Sequence, residues 1–170
     1  MNTRPALLLA LLLATGAHAA SDDAALVRQG RALYQGHKAF AAGIDATRLR
    51  LPPDMLACAR CHGAIGEGGR EVGQPVPPLR GAALYQPLGG LPAWRADDDV
   101  LRAITQGLGR DGRPLGPLMP RFALRPDEQA ALLAYLRHLG TEADAPPGVG
   151  ADRIRLGSVL PLTGPAAPSR

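Results

Sequence analysis

Cys58 and Cys61 are the only cysteines in a chain of 170 residues, and they stand in the run Cys58-Ala59-Arg60-Cys61-His62. Three chemistries use a thiol pair at this spacing. The first is a disulfide or a redox Cys-x-x-Cys, but the redox motif needs a preceding strand in a βαβ setting, which this sequence does not offer. The second is zinc, which would need a fourth ligand; His37 and His138 lack the paired spacing of a zinc site. The third is haem c, where both thiols bond to vinyl groups and a histidine directly after the second thiol lies beneath the ring with a nitrogen facing the iron. Two thiols at this spacing followed directly by His62 fit this third chemistry. Haem c is therefore the reading taken forward, with a disulfide and zinc as its competitors.

An iron held by one imidazole leaves its opposite face open, and Met119, in Leu118-Met119-Pro120-Arg121-Phe122, is placed to fill it. A thioether favours the ferrous state and raises the reduction potential. Met55 lies three residues before Cys58 and is tethered on the wrong side, and Met1 belongs to a leader segment. His37 and His138 are the competing ligands, and an open position is the third possibility. His138 falls in the last turn of a helix, where an imidazole complements the helix dipole.

Ligands on loops need rigid elements to frame them. From Asp22 to Gln35 the residues Leu26, Val27, Gly30, Leu33 and Tyr34 form a stripe at helical spacing, with Asp22 and Asp23 at the positive end. Gly30 in mid-helix costs about 1 kcal/mol relative to Ala, which suits a close helix crossing against the Tyr135 face; a tolerated surface glycine is the bland alternative. A second stripe, Leu132, Leu133, Tyr135, Leu136 and Leu139, runs from Pro126 to Leu139, opened by Pro126, Asp127 and Glu128 and closed by Gly140. A third helix, Asp97 to Gln106, opens on three aspartates and points Val100, Leu101 and Ile104 inward. Beyond it, residues 107–120 are rich in Gly and Pro and form the loop that ends at Met119.

Composition agrees. Hydrophobic residues make up 46% and charged residues 20%, which excludes both a polar disordered chain and a multi-span membrane protein. Six aromatics are few for a core of this size, and 21 Gly with 17 Pro imply much loop, so a bound cofactor would serve as organiser. The formal charge is +4, and all basic residues but Lys38 are arginine. With no dense basic run and no aromatic interleaving, nucleic acid is not an expected partner. Residues 1–20 read as a signal peptide: Arg4, an apolar run from Ala6 to Ala14 too short to span a bilayer, and small residues at Ala17 and Ala19. A periplasmic location is expected, with membrane contact only through partners.

Taken in order, the Gly30-to-Tyr34 helix signature, Cys58-Ala59-Arg60-Cys61-His62-Gly63, Pro77-Pro78-Leu79-Arg80-Gly81, Met119-Pro120 and Ala134-Tyr135-Leu136 resemble a monohaem cytochrome c of the class I type. The resemblance implies an all-α fold with crossing N- and C-terminal helices, about three main helices and long loops around one covalent haem c. It implies that Pro77 offers its carbonyl to the free nitrogen of the proximal histidine, and that Leu79 packs against the ring. Arg80, Tyr85 and Trp94 are candidates for the propionates, each with an ordinary core or surface role as its alternative. The expected domains are 1–20 signal peptide, 21–141 cytochrome, 142–152 linker and 153–170 tail.

The chain departs from that pattern in two places. Family members place the first cysteine soon after the helix aromatic, whereas 23 residues separate Tyr34 from Cys58, so the stretch from His37 to Pro53 is an insertion whose Phe40, Ile44 and Leu49 are available to cover a haem edge. The tail segment from Arg153 to Gly164 alternates like a strand and resembles the opening strand of periplasmic substrate-binding proteins, to which cytochrome modules are sometimes joined; a disordered tail is the alternative. The expected function is electron transfer, not enzymatic catalysis, with a dehydrogenase or oxidase, periplasmic or membrane-bound, as redox partner. The alternative is a sensing or peroxidatic haem from which Met119 departs.

Overall fold

The computed structural model describes residues 22–40, 53–145, 149 and 152–157. The signal segment, Ile44 and Leu49 of the insertion, and residues 158–164 of the strand-like tail lie outside the described residues.

Helix α1 (residues 22–34) buries Leu33 and Tyr34 completely. Its partner α5 (Pro126–His138) starts with proline in the first turn, where a missing N–H costs nothing, and Glu128 reaches back to the backbone N–H of Arg125 at 3.0 Å. The two helices cross at Gly30. A Cβ there would lie 2.0 Å from the carbonyl oxygen of Ala131 and 2.6 Å from Cβ of Tyr135, so only glycine allows the approach. Tyr34 and Tyr135 meet edge-to-face at the crossing, ring centroids 5.5 Å apart.

The core of Tyr34, Leu84, Val100, Leu132, Leu133, Tyr135, Leu136 and Leu139 sits between α1, α5 and three further helices. Two of these are short, α2 (Cys58–His62) and α3 (Gly81–Leu84); the third is α4 (Asp97–Gln106). A 3-10 turn, Pro53–Leu56, leads into α2. The acids in the first turn of α4 do more than complement its dipole. Asp97 accepts from Tyr85 and Arg137, fastening the start of α4 to α3 and α5. Asp99 accepts from the backbone N–H of Arg95 at 3.0 Å, and this bond holds its carboxyl below the usual range.

One element lies outside the purely helical expectation. β1 (Gly69–Glu71) and β2 (Gln74–Val76) pair antiparallel through the two-residue turn Val72-Gly73. Both turn residues have positive φ, 46° at Val72 and 78° at Gly73, as the type I′ form of a two-residue hairpin turn requires. Toward the C-terminus, Val149 and Ile154 form an isolated bridge, and Ile154 and Leu156 are 70% and 93% exposed. Among the described residues no helix is long and apolar enough to cross a membrane.

Candidate functional site

Helix α2 consists of the five residues Cys58, Ala59, Arg60, Cys61 and His62, so both thiols and the imidazole project from little more than one helical turn. A 3-10 turn precedes it instead of the strand that a redox Cys-x-x-Cys requires. Both cysteines are free and half-buried. Burial pushes the Cys58 thiol up to about 12 and also raises that of Cys61, where the Glu71 carboxylate adds to the effect. The Cys61 thiol points at that carboxylate, 3.9 Å away. Neither sulfur is a ready thiolate. Among the described residues no group of three or more His, Cys, Asp or Glu side chains comes together to hold a metal ion, so the zinc alternative has no ligand set there.

His62 is buried, and its Nδ1 lies 2.9 Å from the carbonyl oxygen of Pro77. A carbonyl can only accept, so Nδ1 carries the proton and Nε2 keeps its lone pair. Burial lowers the pKa of the ring, against the opposing effect of the Pro77 carbonyl, and this favours the neutral imidazole that ligates a metal. The pairing is held by backbone on both sides. Gly68 N–H donates to the His62 carbonyl at 2.8 Å, Leu79 N–H to Gly66 at 2.9 Å, and Gly81 N–H to Leu139 at 2.8 Å. From the end of α1, the Tyr34 hydroxyl donates to the Gly63 carbonyl at 2.7 Å, and Gln35 Nε2, one residue past the helix, to the Ala64 carbonyl at 2.8 Å. The chain just after His62 is thereby anchored to the N-terminal helix.

Cys58, Leu79, Tyr85 and Trp94, with Leu101, Ile104 and Leu124, pack against the core and remain half-buried. Half-buried apolar side chains around the core, with an imidazole and two thiols whose burial favours their neutral forms, suit a flat apolar macrocycle attached at the thiols. The three propionate candidates have different settings. The Tyr85 hydroxyl is bonded to Asp97. Arg80 is exposed and lies along Gly140. Trp94 carries the Arg110 guanidinium 5.2 Å from its ring centroid. Arg110, which sequence reasoning missed, donates to the carbonyls of Leu84 at 2.8 Å and Gln86 at 2.6 Å. No residue type announces a carbonyl acceptor, so the sequence carries no signal for it.

Met119 is half-buried in the loop after α4. Its N–H donates to the Gly116 carbonyl at 3.2 Å, and its own carbonyl accepts from Arg121. His37 is exposed, and His138 is half-buried at the end of α5. Phe40, at the start of the insertion, packs on Phe122 with centroids 4.9 Å apart, which places that end of the insertion against the segment that follows Met119 in the chain.

No curated protein and no solved structure matches the chain. The sequence profile of the cytochrome c family matches residues 27–140, from α1 through α5 and over more than half the chain. Members of that family bind haem c, and the Cys58, Cys61 and His62 spacing is consistent with its covalent attachment. The chain belongs to the cytochrome c family.

Proposed function

We propose that this protein is a periplasmic electron carrier with one haem c bound through Cys58 and Cys61 and ligated by His62 and Met119. The observation that carries the reading is the bond from His62 Nδ1 to the Pro77 carbonyl. It fixes the tautomer and turns Nε2 into a donor of set direction, as a ligating histidine needs. When bound, haem supplies a reversible one-electron couple at iron.

The chain's own residues account for the remaining requirements. Burial favours the protonated thiols of Cys58 and Cys61, the two groups that would form the thioether bonds to haem vinyl groups. The half-buried Leu79, Trp94, Leu101, Ile104 and Leu124 supply apolar surface that would keep water from a bound haem and limit reorganisation around a change of charge. The proton on Nδ1 stays on Nδ1, because its acceptor is a carbonyl that cannot take it. Met119 offers a soft sulfur that stabilises the reduced state and raises the potential. A redox partner, a dehydrogenase or oxidase in the periplasm or its bounding membrane, supplies and removes electrons. The mild positive charge suits an acidic docking face.

The test is an absorption spectrum of the holoprotein with and without carbon monoxide. A sulfur-to-iron charge-transfer band in the oxidised protein and no gas binding by the reduced protein are expected. Ready gas binding would overturn the carrier in favour of a sensing or peroxidatic haem. Met119→Ala should remove the band, open the site to gas and lower the potential.

A further inference from the structure

We infer that Arg121 is a positioning residue that locks the Met119 loop shut against the end of α4. The inference rests on the reading of Met119 as the second axial ligand.

The loop from Gly107 to Phe122 has few side chains able to hold its own shape, since glycine and proline recur along it. Arg121 supplies cross-links around Met119. Its Nη2 donates to the Leu115 carbonyl at 2.9 Å and its Nη1 to the Met119 carbonyl, so one planar group ties both flanks of the ligand-bearing turn. The guanidinium lies directly over Gly107, the residue that ends α4. A Cβ there would fall 1.8 Å from Arg121 Nε, and the φ of +70° is one that side chains rarely adopt. The helix end is therefore shaped to receive the arginine. Leu115 N–H donates to the Gly107 carbonyl at 2.7 Å and Phe122 N–H to the Ile104 carbonyl at 3.1 Å, closing the loop on both sides of the guanidinium.

This arrangement bears on ligation. With Met119 ligating a bound haem, an outside ligand would have to displace it, so the apparent affinity of that ligand would scale with the fraction of protein whose loop is open. A fork bonded to two carbonyls holds that fraction down. Lysine, a single point donor, reaches one carbonyl at a time and should hold it down less well.

The experiment uses the oxidised holoprotein and free imidazole as the competing ligand. Arg121→Gln should tighten imidazole binding by about tenfold or more, weaken the sulfur-to-iron band and lower the reduction potential. Arg121→Lys should fall between Arg121→Gln and the parent. Arg113→Gln, at an exposed loop arginine paired with Asp111, should match the parent in all three readings. If Arg121→Gln fails to load haem, Arg121→Lys decides. Parent-like imidazole affinity in the folded variant would overturn the lock while leaving Met119 ligation intact. A parent protein without the sulfur-to-iron band would overturn both.

Discussion

The Nδ1 nitrogen of His62 donates to the carbonyl oxygen of Pro77 across 2.9 Å, joining the helix that carries both cysteines to the strand exit fifteen residues later. The acceptor is backbone, so the bond depends on where the chain runs and not on the pyrrolidine ring. His62→Ala should abolish a stable holoprotein. Pro77→Ala, which keeps the carbonyl, should retain haem and lose only about 1 kcal/mol or less through greater freedom of the unfolded chain. Haem content by pyridine haemochrome and thermal melting distinguish the two. Equal loss of haem in both variants would show that the proline ring, not its carbonyl, matters.

Gly30→Ala should force α1 and α5 apart, because its Cβ would meet the Ala131 carbonyl at 2.0 Å, and backbone has no side chain to swing away. A loss of about 1–3 kcal/mol is expected from overpacking of this kind, read from urea unfolding of the holoprotein. An unchanged midpoint would mean that the helices do not cross there.

Alkali should destabilise the fold through three phenols, of which Tyr34 is pushed furthest above the ordinary 10.0 by its burial. Burial, followed by the hydrogen bond to Asp97, pushes Tyr85 up to about 12 from an ordinary 10.0; burial, with Asp144 adding to it, does the same for Tyr135. Below pH 10 all three are protonated whether the chain is folded or not. Between pH 10 and 12 the unfolded chain releases protons that the native state keeps, so stability falls as pH rises. Urea midpoints measured across that window should decline, and Tyr85→Phe should make the decline shallower. An identical slope in Tyr85→Phe would remove that phenol as a cause.

The framing helices were legible because each combines a stripe at helical spacing with its own start and stop. Asp97–Gln106 appears with the expected bounds, and Pro126–His138 ends one residue short of the expected Leu139, at the cap before Gly140. Gly30 was legible because a mid-helix glycine is costly without a neighbour to justify it. The hairpin at Gly69–Val76 was not, because the turn places Val72, a β-branched residue, at positive φ, against every local preference. Arg80, Tyr85 and Trp94 look alike as propionate candidates in the sequence. Only the fold separates them, by giving Tyr85 to Asp97 and setting Arg110 on Trp94. Arg110 and Arg121 bond to main-chain carbonyls, which every residue possesses, so no motif points to them.

The most direct test is denaturing electrophoresis with haem-dependent peroxidase staining, on protein exported by a host that performs haem c attachment, for the parent, Cys58→Ser and Cys61→Ser. The parent band should stain and should keep its colour through acid-acetone extraction, while each single serine variant should stain weakly and the double variant not at all. A parent band that loses its colour on extraction, or a double variant that stains like the parent, would contradict covalent attachment at these two sulfurs.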